Sequence, residues 1–263
     1  MSNFLFIVPT CEKSGFSKNS VCYKCVESIR KFYSSIDIII INDSPINVAS
    51  NDQIISFFND SKLKVIRPET LGSACSFAMN FLLNSQYDYG VVIHDSTELV
   101  NQLPEFNFDV KFFWNFTEHL EWDKRIVPKP FRINGIRTHS DEIFNLYINL
   151  YESEFKQNFK KFYNQRNLWR GCMGNMLIIS KEFLRKVEDK TKILSLTKYV
   201  ITRRHRMCME SIFAMAVFYT KKINIDDELS YSLHGNWNFM NDSNYFNHLY
   251  KKYKYIVKYH LKR

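Results

Sequence analysis

A chain of 263 residues with 45% hydrophobic and 24% charged residues can bury a sizeable core, which excludes a disordered or fibrous polymer. Its formal charge of +9 suits an anionic partner: nucleic acid, anionic lipid or a phosphorylated ligand. No apolar run approaches the roughly 18 residues of a membrane span, and the opening "MSNFLFIVPTC" lacks the basic leader and apolar core of a signal peptide.

The first 95 residues alternate strand and helix. "FLFIVPT" (4–10) is an apolar run closed by Pro, a buried strand. From 20 to 35, Val21, Cys25, Val26, Ile29, Phe32 and Tyr33 recur at helical spacing. "IDIIIIND" (36–43) is the most strand-like segment. A short helix follows at 51–60, with Asn51 or Asp52 near its N-cap. "KLKVIRP" (62–68) is a strand, 72–85 a helix with Ser73 as cap, and "YGVVIHD" (89–95) a strand ending on His94-Asp95. Short, nearly all-apolar strands separated by helices predict a mostly parallel central sheet flanked by helices, Rossmann-like in this half. Ligands bind such sheets at the carboxyl ends of the strands, where Thr10, Asp43, Arg67 and Asp95 all fall.

The second half alternates less regularly. A strand is expected at 110–116, an irregular loop at 117–140, a long helix at 140–165 and a strand at 174–180, where Ser180 caps the next helix. An apolar helix is expected at 206–222, then a strand and loop, and from Asp242 a basic, Tyr-rich helix. Seven glycines and six prolines argue against flexible linkers, so residues 1–263 read as one domain. Its parts are 1–100, 101–240 and the helix 241–263. Cys22 and Cys25 form a C-x-x-C, but within a helical pattern and with no second close pair. Buried reduced thiols in a cytoplasmic chain are the simpler reading than zinc.

With these segments placed, the chain resembles the GT-A fold nucleotide-sugar glycosyltransferases of the broad family-2-like kind, over about residues 4–240. "FIVPT", with Pro9 and Thr10, resembles the first strand, which ends beside the nucleotide. "IIIINDSP" resembles the strand that ends on an acidic pair, with Asn42-Asp43-Ser44 in that place. "RPETLGSACSFAMNFLL" resembles the helix under the donor, through Gly72, Ala74, Ala78 and Asn80. "VVIHDSTEL" resembles the strand that carries a metal-binding Asp-x-Asp. "RGCMGNMLIISKEFL" resembles the turn and strand before the acceptor region, and "MESIFAM" puts Glu210 where the family carries its base.

The resemblance implies α/β GT-A architecture and sugar transfer from a nucleoside diphosphate sugar, with UDP favoured, to a glycan or other hydroxyl acceptor. Asp43 would accept the N3–H of uracil; the plainer reading is an Asx turn before Pro45. Arg67 and Gly72, beside a helix N-terminus, would suit phosphate. Asp95 would hold Mn2+ or Mg2+, with His234 of "SLHGNW" as a distal ligand. The motif is incomplete, however, because His94, Asp95 and Ser96 supply one acid where the family has two. Glu210 would be the general base of an inverting displacement. Arg203, Arg204, His205 and Arg206 could meet the diphosphate or lie solvated. Trp169, Gly171, Gly174 and Trp237 border the expected acceptor region, although tryptophan is more often core, as it could be at Trp114.

A nucleic-acid-binding protein is the rival from another class, but the basic residues do not gather on a reading helix or aromatic sheet, so no nucleic acid partner is expected. A metal phosphohydrolase would carry His-Asp on helices, and a nucleotidyltransferase would carry a Gly-rich loop after the first strand, where "TCEKSGFSKNS" is a poor match. A degenerate transferase that binds a sugar nucleotide without turnover is a further alternative. The basic tail has the composition to touch the cytosolic face of a membrane; a packing helix is the plainer expectation.

Overall fold

Four consecutive isoleucines, Ile38 to Ile41, are buried because strand β2 (Asp37–Asn42) is covered on both faces. Ile39 and Ile41 join one core and Ile38 and Ile40 the other. Strand β1 (Phe4–Thr10) divides in the same way, Leu5 and Ile7 against Phe6 and Val8. The computed structural model describes residues 3–13, 15–116, 153–223 and 255–258.

Helix α1 (Val21–Phe32) follows β1, α2 (Asn51–Phe58) follows β2, and β3 (Leu63–Ile66), α3 (Ala74–Leu83) and β4 (Tyr89–Val92) complete the alternation expected from the sequence. The N-cap of α2 is Ser50 rather than Asn51 or Asp52. Its hydroxyl accepts from the Gln53 amide while the Gln53 side chain accepts from the Ser50 amide, a reciprocal capping box. Ser73 precedes α3, but its hydroxyl donates to the Thr70 carbonyl instead of capping the helix.

Further along lie β5 (Thr97–Leu99), β6 (Val110–Phe112), β7 (Asn115–Phe116), α4 (Ser153–Asn164), β8 (Gly171–Cys172), β9 (Leu177–Ser180), α5 (Lys181–Thr191) and α6 (Arg203–Thr220). Ser180 caps α5 as expected, accepting from the Phe183 amide. A last strand, β10 (Ile256–Lys258), pairs antiparallel with β5. This corrects the expectation of helix at 256–258: backbone pairing to β5 fixes that stretch as strand, and buried, β-branched Ile256 suits it. The expected loop at 117–140, the first part of the helix expected at 140–165, the strand after residue 223 and most of the tail lie outside the described residues.

The described residues form a six-stranded sheet in the order β3-β2-β1-β4-β9-β6. Strands β3, β2, β1 and β4 are mutually parallel, and β9 runs against its neighbours β4 and β6. This is a mostly parallel, mixed sheet flanked by helices. Helices α3, α5 and α6 supply residues to one core, through Met79, Leu184 and Phe213, and α1 and α2 to the other, through Val26 and Ile54. From β1 the chain steps outward to β2 and β3, then returns to place β4 on the other side of β1. That reversal opens a crevice beyond the carboxyl ends of β1 and β4.

Candidate functional site

At this crevice the tips are tied to one another. The Thr10 hydroxyl donates to Asp95 Oδ2 at 2.9 Å, and the Cys11 amide approaches the same oxygen at 3.4 Å. The Asp95 amide donates to the Pro9 carbonyl at 3.2 Å, and the Asp43 amide to the Thr10 carbonyl at 2.8 Å. Since β2 and β4 flank β1 at about 4.8 Å each, the tips bearing Asp43 and Asp95 stand about 10 Å apart. Thr10, Asp43 and Asp95 thus share one edge, and all three are buried.

Asp43 joins three segments. Its Oδ1 accepts from the Gly72 amide at 2.7 Å, and its Oδ2 lies 3.9 Å from Arg206 Nη1 on α6. Gly72 sits at φ +95°, and a Cβ there would lie 3.3 Å from the Ile201 carbonyl carbon, so glycine lets the turn before α3 press against the entry to α6. Thr202 caps α6 by accepting from the His205 amide. Burial pushes the Asp43 carboxyl above its ordinary value; the Gly72 hydrogen bond and the charges of Arg206 and Arg67 oppose that shift.

The two arginines at this edge differ. Arg67 donates from both terminal nitrogens, to the Ser44 and Ala49 carbonyls, each at 2.6 Å. It clamps the loop between β2 and α2 rather than presenting those nitrogens to a phosphate. Arg206 stands at more than hydrogen-bond distance from Asp43, with its side chain 35% exposed. Glu210 follows one turn later on the same stripe of α6 and is half-buried.

His94 is held from above. Its Nε2 lies 2.8 Å from the Gly174 carbonyl, with Cys75 Sγ at 3.4 Å. A carbonyl accepts only, so this nitrogen carries the proton. Gly174 has φ +61°, and a Cβ there would fall 2.3 Å from His94 Cε1. Its lack of a side chain makes room for the imidazole. Gly171 is buried in β8.

Two further expectations change. Trp169 is 2% exposed, stacks on Tyr163 at 5.7 Å between ring centroids, and donates Nε1–H to the Tyr163 carbonyl. Its faces are occupied by core, which removes it as a sugar platform. Trp114 is also core. Asn80 donates to Thr197 across a separate open groove of about 970 Å3, lined also by Ile66, Phe77, Phe81 and Leu194. Thr10, Asp43 and Asp95 do not line that groove. His234 and Trp237 lie outside the described residues. Sequence reasoning did not single out the Cys11 amide, nor the contact of Ser44, whose hydroxyl accepts from the Glu12 amide at 2.8 Å. Backbone donors leave no sequence signal.

The donors among the described residues do not by themselves make a site for a tightly held divalent ion. Such ions favour several oxygen ligands in a defined geometry. Among the described residues no three His, Cys, Asp or Glu side chains come together for one. Asp95 has one oxygen engaged by Thr10, and His94 turns a protonated nitrogen to Gly174.

No protein-family model and no curated protein matches the chain. Among solved structures it is similar to S. aureus TarS 1-349 in complex with UDP-GlcNAc, at 15% identity and TM-score 0.26, over 37% of this chain and 27% of that one. For S. aureus TarS the values are 14% and 0.36, over 75% and 33%. For core-mannan synthase A (CmsA/Ktr4) from Aspergillus fumigatus, Mn/GDP-form, they are 11% and 0.42, over 84% and 69%. The chain thus spans a third or less of the TarS structures it matches. Similarity at this level does not transfer an activity.

Two outcomes follow. Gly174→Ala should destabilise by about 2 kcal/mol or more, through steric overlap and the left-handed backbone. In a urea-denaturation double-mutant cycle, His94→Ala should relieve part of that loss; strictly additive losses would contradict the contact. Asp43→Asn keeps an acceptor for the Gly72 amide and removes the buried charge. Because the folded pKa is raised, the Asp43 contribution is full at low pH and is lost as pH rises through that value. Wild type should therefore lose stability relative to Asp43→Asn as pH rises above the ordinary carboxylate range, and a gap that does not vary with pH would contradict this.

Proposed function

We propose that this chain is a GT-A type glycosyltransferase that moves a sugar from a nucleoside diphosphate sugar to a glycan or other hydroxyl acceptor. The observation that carries the reading is the tie between Thr10 and Asp95 at the switch point of the sheet. It sets the "FIVPT" and "VVIHDSTEL" motifs side by side, as a donor cleft requires. The ordered set of motifs supports the same reading.

In this proposal the nucleotide lies over the tips of β1, β2 and β4, with a uridine base toward Asp43. One Asp43 oxygen already accepts from Gly72, so the base would meet Oδ2, on the Arg206 side. Glu210, half-buried one turn beyond Arg206, takes the acceptor proton as its oxygen attacks the anomeric carbon, inverting that centre. Acceptor oxygen–carbon bond formation accompanies cleavage of the bond to the diphosphate, which leaves with the electron pair.

A second reading is favoured by the single acid at the metal motif: a chain that binds a sugar nucleotide without turnover. The two separate in one experiment. Melting curves against UDP- and GDP-linked sugars should show stabilisation by a nucleotide sugar, which both readings predict. Transfer, assayed with an accepted donor and a panel of glycan acceptors, should fall by about 10²- to 10⁴-fold in Glu210→Gln with donor affinity kept. Unchanged transfer in that variant would remove Glu210 as base. Binding with no transfer by wild type would favour the second reading.

A further inference from the structure

We infer, resting on the nucleotide-sugar reading above, that the chain holds the donor diphosphate without a divalent cation and that Arg206 supplies the countercharge. The first ground is the chemistry of the would-be ligands. Asp95 is 6% exposed, and its Oδ2 accepts from the Thr10 hydroxyl and faces the Cys11 amide. Only one of the two acids of the resembled motif is present, and beside it stands an imidazole whose Nε2 donates to the Gly174 carbonyl. With Nε2 protonated only Nδ1 keeps a lone pair, and a neutral imidazole brings no negative charge in place of a carboxylate. The ring cannot swing toward Gly174 to rearrange, because it already fills the space a Cβ would occupy there.

The second ground is the contrast between the arginines. Arg67 is locked at 2.6 Å onto two carbonyls. Arg206, in the first turn of α6, is part-exposed and only loosely paired, at 3.9 Å from Asp43 Oδ2. A planar guanidinium matches phosphate oxygens in a bidentate way and remains charged at any working pH. Its seat beside Asp43 puts it on the edge whose Asp43 and Asp95 tips stand about 10 Å apart by strand spacing, a gap that an extended arginine and a diphosphate can bridge. The Gly72 turn brings the first turns of α3 and α6 to this edge, adding amide dipoles of the same sign. Arg206 acts here as a binding group for the leaving diphosphate.

Calorimetric titration of the full chain with UDP and with GDP tests this, in EDTA and again in Mn2+ or Mg2+. The expected result is similar nucleotide affinity with and without the ion. Arg206→Gln should weaken nucleotide binding at least about tenfold, Arg206→Lys should weaken it less, and uridine or guanosine should bind both variants as they bind wild type. Circular dichroism melting of the variants checks that the fold survives. Nucleotide binding seen only with the ion, or unaltered by Arg206→Gln, would overturn this inference and leave the donor assignment standing. No binding of either nucleotide under any of these conditions would overturn both.

Discussion

The hydrogen bond from Thr10 to Asp95 Oδ2 is the constraint on which the site rests. It spans neighbouring strands that are adjacent only because the chain reverses direction after β3. Without that reversal, the tips of β1 and β4 would belong to different parts of the sheet. The bond satisfies a carboxylate that burial would otherwise penalise. It also fixes the edge against which the Asp43, Gly72 and α6 contacts are arranged, since Thr10 meets Asp43 through its own carbonyl.

Around this tie several polar groups satisfy one another. Gly72 answers Asp43, Ser44 answers the Glu12 amide, Gly174 answers His94, and Arg67 answers two carbonyls. Such mutual satisfaction makes a rigid floor, which favours preorganised binding. It also narrows the set of groups that can meet a ligand. Among the described residues, Arg206 and Glu210, on one stripe of α6 and only partly buried, are two side chains through which that floor could address charge. Burial raises the Cys22 thiol pKa well above its ordinary value, with the Asp95 charge adding to the effect, so this member of the C-x-x-C pair is an inert core thiol.

The doubly buried strands were legible in the sequence because both faces need apolar side chains: the Ile38–Ile41 run admits little else. The convergence of Thr10, Asp43 and Asp95 followed from the same pattern, since a parallel sheet places its carboxyl ends together. What the sequence hid was set by tertiary pairing. Strand β10 exists because β5 offers it an edge, and three residues carry too little periodicity to announce that. Trp169 and Asn80 satisfy their polar atoms against Tyr163 and Thr197, partners that no spacing rule identifies. Arg67 resembled a phosphate ligand by its place at a strand end, yet two loop carbonyls claimed it. Gly174 resembled an acceptor-site glycine, and its vacancy turned out to be filled by His94.

The central claim is that one nucleotide pocket lies over these tied strand ends. Backbone hydrogen exchange of the full chain, with and without saturating UDP, tests it most directly. The account predicts added protection at residues 9–12, 43–45, 70–75, 94–97 and 202–207 together. Protection confined to the groove between α3 and residues 193–199, or to none of these segments while UDP is demonstrably bound, would contradict it.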